Sequence, residues 1–208
     1  MSHFALPNLL ETALWAVVLL FSIIIHEIAH GYVALKHGDP TARMLGRLTL
    51  NPLPHIDPVG SVLVPLILMI SGSSFLIGWA KPVPVNPLNF RNYRRGEIAV
   101  SAAGPLSNLA LAVAFSLLLR LELGNIGLMK LALFGVQVNV VLAVFNLIPI
   151  PPLDGSHILA MVLPRELARL YAQLEPVGFI LIIILFATGI LGSILMPFYR
   201  AVVMFLLG

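Results

Sequence analysis

Two histidines four residues apart with a glutamate after the first, His26-Glu27-Ile28-Ala29-His30, are the residues of this chain best suited to chemistry. On an α-helix His26 and His30 project from one face a turn apart, so both imidazoles can ligate a single Zn²⁺. Glu27 then stands beside them, placed to take a proton from a metal-activated water. That donor set suits hydrolysis. The motif lies within an apolar run, Leu9 to Leu35, long enough to cross a bilayer. A charged side chain near the centre of such a helix costs roughly 2.5–3.5 kcal/mol, so ionisable residues there mark functional sites. A purely structural role for all three side chains leaves that cost without offset.

Catalytic zinc takes three protein ligands and a water, so a third donor is needed. The chain has no cysteine, which excludes a thiolate zinc site, a disulfide framework and a cysteine nucleophile. The donors left near apolar segments are Asp154, His157 and the loop pair His55 and Asp57. Asp154 is favoured because it follows Asn146-Leu-Ile-Pro-Ile-Pro-Pro-Leu at the end of a span. Prolines break the helix there, and broken backbone at membrane depth is tolerated only against protein or a water-filled cavity. Asp-Gly also marks ordinary turns, so the other three remain open as third ligands. His157 reads as a supporting residue of the same cavity, and His55 and Asp57, set among prolines, as structural or rim residues.

The whole chain carries the signature of a membrane protein: 59% of its 208 residues are hydrophobic and 10% charged, where soluble domains carry about 25% charged residues. The net charge of +3 comes from loop Lys and Arg, which inform topology and give no reason to invoke nucleic acid. No Lys or Arg precedes the first apolar run, which is therefore read as a retained span. Further spans are expected at Ile98–Leu119, about Leu131–Ile150 and Val177–Leu195, with an apolar tail to Leu207. A weaker stretch, Val59–Ala80, contains Pro65 and Ser71-Gly72-Ser73-Ser74 and is flanked on both sides by basic residues, Lys36, Arg43 and Arg47 before it and Lys81, Arg91, Arg94 and Arg95 after it. A full crossing would put one basic flank outside, against the positive-inside rule, and would carry Asp154 to the opposite face from His26. Val59–Ala80 is therefore expected to make no net crossing, as a re-entrant or short β-containing segment. Arg43–Leu50 or Val83–Asn86 would offer an edge for an extended peptide.

These residues resemble the site-2 proteases, a family of intramembrane zinc metalloproteases. The matching motifs are His26-Glu27-x-x-His30, the sequence Gly104-Pro105-Leu106-Ser107-Asn108 in a middle helix, and Leu153-Asp154-Gly155, spread over roughly residues 9–163. The resemblance implies an all-α polytopic fold, a three-helix catalytic core with one or two C-terminal membrane helices (177–207), in one domain spanning 1–208. It implies one Zn²⁺ held by His26, His30 and Asp154, with Glu27 as general base. Asn108 is a further candidate, for an oxyanion or for substrate, against the plainer reading of an interhelical hydrogen bond. The expected substrate is a membrane-protein or signal-peptide-like segment, within the lipid bilayer of a prokaryotic cell, with the site nearer the cytoplasmic face. No PDZ-like insert is visible, and the oligomeric state is not specified. The competing readings are a metal-ion or proton transporter using the same His/Glu cluster and a catalytically dead scaffold.

Overall fold

The computed structural model describes residues 9–71, 78–121 and 124–208. Its helices, in chain order, are α1 (Leu9–His37), α2 (Thr41–Met44), α3 (Val64–Ile70), α4 (Tyr93–Arg120), α5 (Ile126–Asn146), α6 (Asp154–Val162), α7 (Arg165–Ala172), α8 (Glu175–Ala187) and α9 (Ile190–Leu207). Of these, α1, α4, α5 and α9 are long and apolar enough to cross a membrane, and α7 with α8 forms a pair bent by 69°. The protein is an all-α polytopic membrane protein.

α4 packs against both α1 and α5, and α9 closes over α5. Side-chain contacts set their directions. Glu11 at the start of α1 meets Lys130 near the start of α5 at 2.8 Å. Ser116 Oγ and Arg120 Nη2, late in α4, both donate to the Leu206 carbonyl at the end of α9, at 2.6 and 3.3 Å. α1 and α5 therefore run together, with α4 and α9 antiparallel to them, and His26 and His30 lie toward the other end. Small residues permit the close approach: a Cβ on Gly135 would fall about 2.5 Å from the Phe115 ring. Ala112, Val136 and Val140, all fully buried, fill the seam between α4 and α5.

Three boundaries differ from the sequence expectation. α5 begins earlier and ends earlier than Leu131–Ile150, because Asn125 caps its first turn by accepting from the Leu128 N–H and Pro149 prevents its continuation. The apolar stretch Val177–Leu195 is divided at Gly189, whose φ of +75° is the left-handed conformation that ends a helix, so that of the one or two C-terminal helices expected over 177–207 there are two, α8 and α9. No β-strand occurs among the described residues. Arg43–Leu50 begins in the last turn of α2 and continues in turns and bends, and in Val83–Asn86 the Val83 and Asn86 N–H groups are bound by the carboxylates of Glu27 and Asp39, so neither is left for a ladder.

Val59–Ala80 starts as a π-helical turn, Pro58–Leu63, capped by Asp57 Oδ1, which accepts from the Val59 and Gly60 N–H groups, and continues into α3. Residues 58–70 rise about 20 Å, short of the roughly 30 Å hydrocarbon core. Gly72, Ser73 and Ser74 of the expected break lie outside the described residues. Trp79 N–H then donates to the Gly60 carbonyl at 3.2 Å, Ser61 Oγ to the Trp79 carbonyl at 2.8 Å, and Lys81 N–H to the His55 carbonyl at 2.9 Å. The segment ends beside its own beginning. Thiol labelling of Arg43→Cys and Arg91→Cys in intact cells, against a background with no native cysteine, is expected to modify both from the same face; labelling from opposite faces overturns a segment without net crossing.

Candidate metal centre

The site is built at the contact of α1, α4 and the start of α6. His26, His30 and Asp154 each offer a ligand atom, and these atoms lie within 4.8 Å of one another. His26 Nε2 is 3.0 Å from His30 Nε2. Asp154 Oδ2 is 3.2 Å from His26 Nε2, and Oδ1 is 3.4 Å from His30 Nε2. Tetrahedral ligands about 2.1 Å from a zinc ion stand roughly 3.4 Å apart, so the three groups have the spacing of a zinc donor set.

Their hydrogen bonds show which atoms bear lone pairs. His30 Nδ1 lies 2.7 Å from the Val100 carbonyl, which can only accept, so neutral His30 carries its proton on Nδ1 and presents a lone pair at Nε2. His26 Nδ1 lies 2.6 Å from Asn108 Oδ1. The amide end of Asn108 is identified by its donors: Nδ2 bonds Asn139 Oδ1 at 2.9 Å and the Ser22 carbonyl at 3.3 Å. Asn139 Nδ2 in turn donates to Ser22 Oγ at 2.9 Å and to the Gly135 carbonyl at 2.9 Å. This buried chain fixes Asn108 Oδ1 as the acceptor and His26 Nε2 as a second lone pair. Asp154 Oδ2 is buried with no hydrogen-bond partner. Two lone pairs and a carboxylate oxygen thus converge at one largely buried point, an arrangement that a divalent cation satisfies.

The backbone is shaped to the same centre. A Cβ on Gly104 would overlap His30 Nε2 and the His26 ring, so α4 lies flush against both imidazoles only because this residue is glycine. Pro105, one residue on, removes the helical donor to the Ser101 carbonyl, in the turn whose Val100 carbonyl binds His30. On the far side a Cβ on Gly155 would overlap the Leu147 carbonyl, so the start of α6 tucks under the end of α5 and delivers Asp154. The loop between them is anchored by Ile148 and Leu153 packed with Leu191, and by Tyr171 Oη donating to the Pro149 carbonyl at 2.9 Å.

The remaining sequence candidates fall elsewhere. Asn108 is fully buried behind His26 with both polar ends committed, which is the interhelical arrangement and leaves no donor facing an oxyanion or substrate. His157 pairs with Glu97 at 3.1 Å, and its pKa is raised above the ordinary histidine value, by that hydrogen bond first, over the opposing effect of burial. His55 is buried and holds the Thr49 carbonyl at 2.9 Å, while Asp57 caps the π-helical turn; neither belongs to the metal group. Glu27 points to the loop before α4, where its Oε2 accepts from the Val83 N–H at 2.7 Å. Sequence reading missed Ser22, Asn139 and the Val100 carbonyl, and took Val83 as part of a peptide-pairing edge where its N–H is bound by Glu27. Ser22 was open to detection, since it precedes His26 by one helical turn on the same face.

A helical membrane protein with a buried His/His/Asp centre and an adjacent glutamate has the build of a membrane-embedded metallohydrolase. Comparison with known proteins gives the lineage: residues 121–188 match Peptidase family M50. The chain is 40% identical over 196 residues to the Bacillus subtilis protein named "Putative zinc metalloprotease YwhC", covering 89% of this chain and 85% of that protein. It is 32% identical to the "Putative zinc metalloprotease Rip2" of Mycolicibacterium smegmatis, over 83% of this chain and 66% of that one. It is 27% identical to the "Zinc metalloprotease MJ0392" of Methanocaldococcus jannaschii, over 73% of this chain and 36% of that one. No solved structure matches. The chain belongs to peptidase family M50, the site-2 protease family.

Gly104→Ala drives a methyl group into both imidazoles, a strain of roughly 1–3 kcal/mol, and is expected to weaken zinc binding about tenfold or more. Gly192→Ala, whose Cβ meets nothing within 4 Å, serves as control. Equal zinc content in the two purified variants contradicts the packing of α4 on the histidines.

Proposed function

We propose that this protein is an intramembrane zinc protease that hydrolyses peptide bonds within or beside the membrane segments of its substrates. The observation that carries the reading is the convergence of His26 Nε2, His30 Nε2 and Asp154 on one point within a membrane-spanning fold, with Glu27 alongside. Family membership and the zinc metalloprotease names of the relatives support it.

His26, His30 and Asp154 would hold the metal, three protein donors being the number a catalytic zinc takes. Zinc bound there supplies a Lewis acid that acidifies water and polarises a carbonyl oxygen. Glu27, one residue from the first ligand, takes the proton of the attacking water at Oε1, since Oε2 is engaged by Val83. It returns that proton to the departing amine, so no covalent enzyme intermediate is required. Asn108 and the Val100 carbonyl keep the two imidazoles turned with Nε2 inward, the positioning that metal-bound histidines need.

The location of the centre defines the substrate class. His30 lies about 10 Å along the helix from the end of α1, so only a peptide that enters the membrane region and exposes its backbone reaches it. A helical substrate must unwind first, since a helix keeps its carbonyls bonded. The exposed basic residues Lys36, Arg43, Lys81, Arg91, Arg94 and Arg95 lie at the site end of the bundle, which supports a cytoplasmic placement of that end in a prokaryotic membrane. Residues 9–163 form the catalytic core of a single domain in this reading, with the C-terminal helices packed outside it.

The test uses purified protein in detergent, bound zinc measured directly, and a transmembrane model peptide. Glu27→Gln is expected to keep its zinc and lose cleavage by at least a hundredfold. Equal cleavage by wild type and variant ends the protease reading, and ion flux in liposomes by a protein that cleaves nothing would replace it with a transporter.

A further inference from the structure

Glu27 is gripped by the backbone of a segment the sequence marks with three prolines, Lys81-Pro82-Val83-Pro84-Val85-Asn86-Pro87. Proline has no N–H, so Val83 carries the one backbone donor between residues 82 and 84, and that donor is spent on Glu27 Oε2 at 2.7 Å. Each proline also confines the residue before it to extended conformations, which stiffens Lys81 and Val83.

The segment is clamped at both ends by buried charged side chains. Arg47, 8% exposed, donates from Nη2 to the Lys81 carbonyl at 2.8 Å and the Pro82 carbonyl at 3.2 Å. Among the described residues it forms no ion pair, and its Nε is buried without a partner. Burying a guanidinium on carbonyls alone is unfavourable, which points to a role in holding those carbonyls. Asp39, fully buried, accepts from the Asn86 N–H and the Asn89 side chain, each at 2.7 Å, and from Thr41. Burial pushes the Asp39 carboxyl up, but these hydrogen bonds outweigh it and hold its pKa below the ordinary value, so it stays ionised. Gly31, next to His30, completes the seat: a Cβ there would come within 2.8 Å of Val83, so the segment lies directly on α1.

We propose that residues 81–86 are a rigid strap that sets Glu27 in its working orientation through the Val83 N–H, with Arg47 and Asp39 as positioning residues that act through the strap. The proposal rests on Glu27 being the general base. A glutamate beside a metal has rotatable torsions that let it swing away from the attacking water or onto the metal itself. Pinning Oε2 fixes the carboxylate plane and leaves Oε1 for the proton, a preorganisation that affects turnover more than substrate binding.

Kinetics on the zinc-loaded protein with a transmembrane peptide, paired with hydrogen exchange, tests this. Val83→Pro removes the N–H and is expected to lower kcat tenfold or more with KM and zinc content within twofold of wild type. Val83→Ala, which keeps the N–H, recovers most of that loss. Arg47→Ala is expected to lower kcat, and Arg47→Lys to restore part of it. The Val83 amide, alone among residues 82–84 in being exchangeable, is expected to exchange at least tenfold faster in Glu27→Ala. Val83→Pro with the kcat of Val83→Ala, or a higher one as an inhibitory strap would give, overturns the proposal. If Val83→Pro loses its zinc, the exchange experiment decides, and unchanged protection in Glu27→Ala overturns it. Wild type that holds zinc and protects Val83 yet cleaves nothing contradicts the protease reading and leaves the contact standing.

Discussion

Two imidazole nitrogens 3.0 Å apart, each with its lone pair turned toward the other and a carboxylate completing the triangle, create a demand for positive charge that the rest of this structure serves. In water such groups would separate and hydrate. Inside a helical bundle they are held together by partners on the opposite edge of each ring, Asn108 for His26 and the Val100 carbonyl for His30. Those partners decide the tautomers, and the tautomers leave both Nε2 lone pairs available to a cation.

Holding three donors at one depth constrains the whole membrane fold. α1 brings His26 and His30 in, α4 returns past them with Gly104 against the rings, and α5 comes back to deliver Asp154 through a proline-broken loop. The chain between α1 and α4 ends beside where it began, so it adds no displacement along the bundle. The same intervening chain supplies Val83 to Glu27. One connection thus keeps the helices in phase and reaches into the site they form.

The chemistry was more legible in the sequence than its support. His26, Glu27 and His30 stood out because ionisable residues in an apolar helix need a reason, and Asp154 because prolines broke a span beside it. Asn139 was hidden: one amide in an apolar helix has many plausible partners, and its own lies 117 positions away at Ser22. Asn108 was noticed with two readings left open, an oxyanion or substrate contact and an interhelical hydrogen bond, since a sequence does not say whether an amide faces substrate or the back of a histidine. The Val83 N–H was invisible as a backbone group, although Pro-Val-Pro announces a segment with a single donor. The sequence left open whether 177–207 holds one helix or two for a different reason, because apolar residues continue through Gly189 and periodicity alone does not register one left-handed glycine.

The central claim is that His26, His30 and Asp154 together hold one zinc ion, and X-ray absorption at the zinc edge addresses it most directly. The account predicts a first shell of light atoms only, with two imidazoles and carboxylate oxygen at about 2.0–2.2 Å, and loss of the carboxylate contribution or of the metal itself in Asp154→Ala. A zinc shell unchanged by that substitution, or one lacking the signature of paired imidazoles, contradicts it.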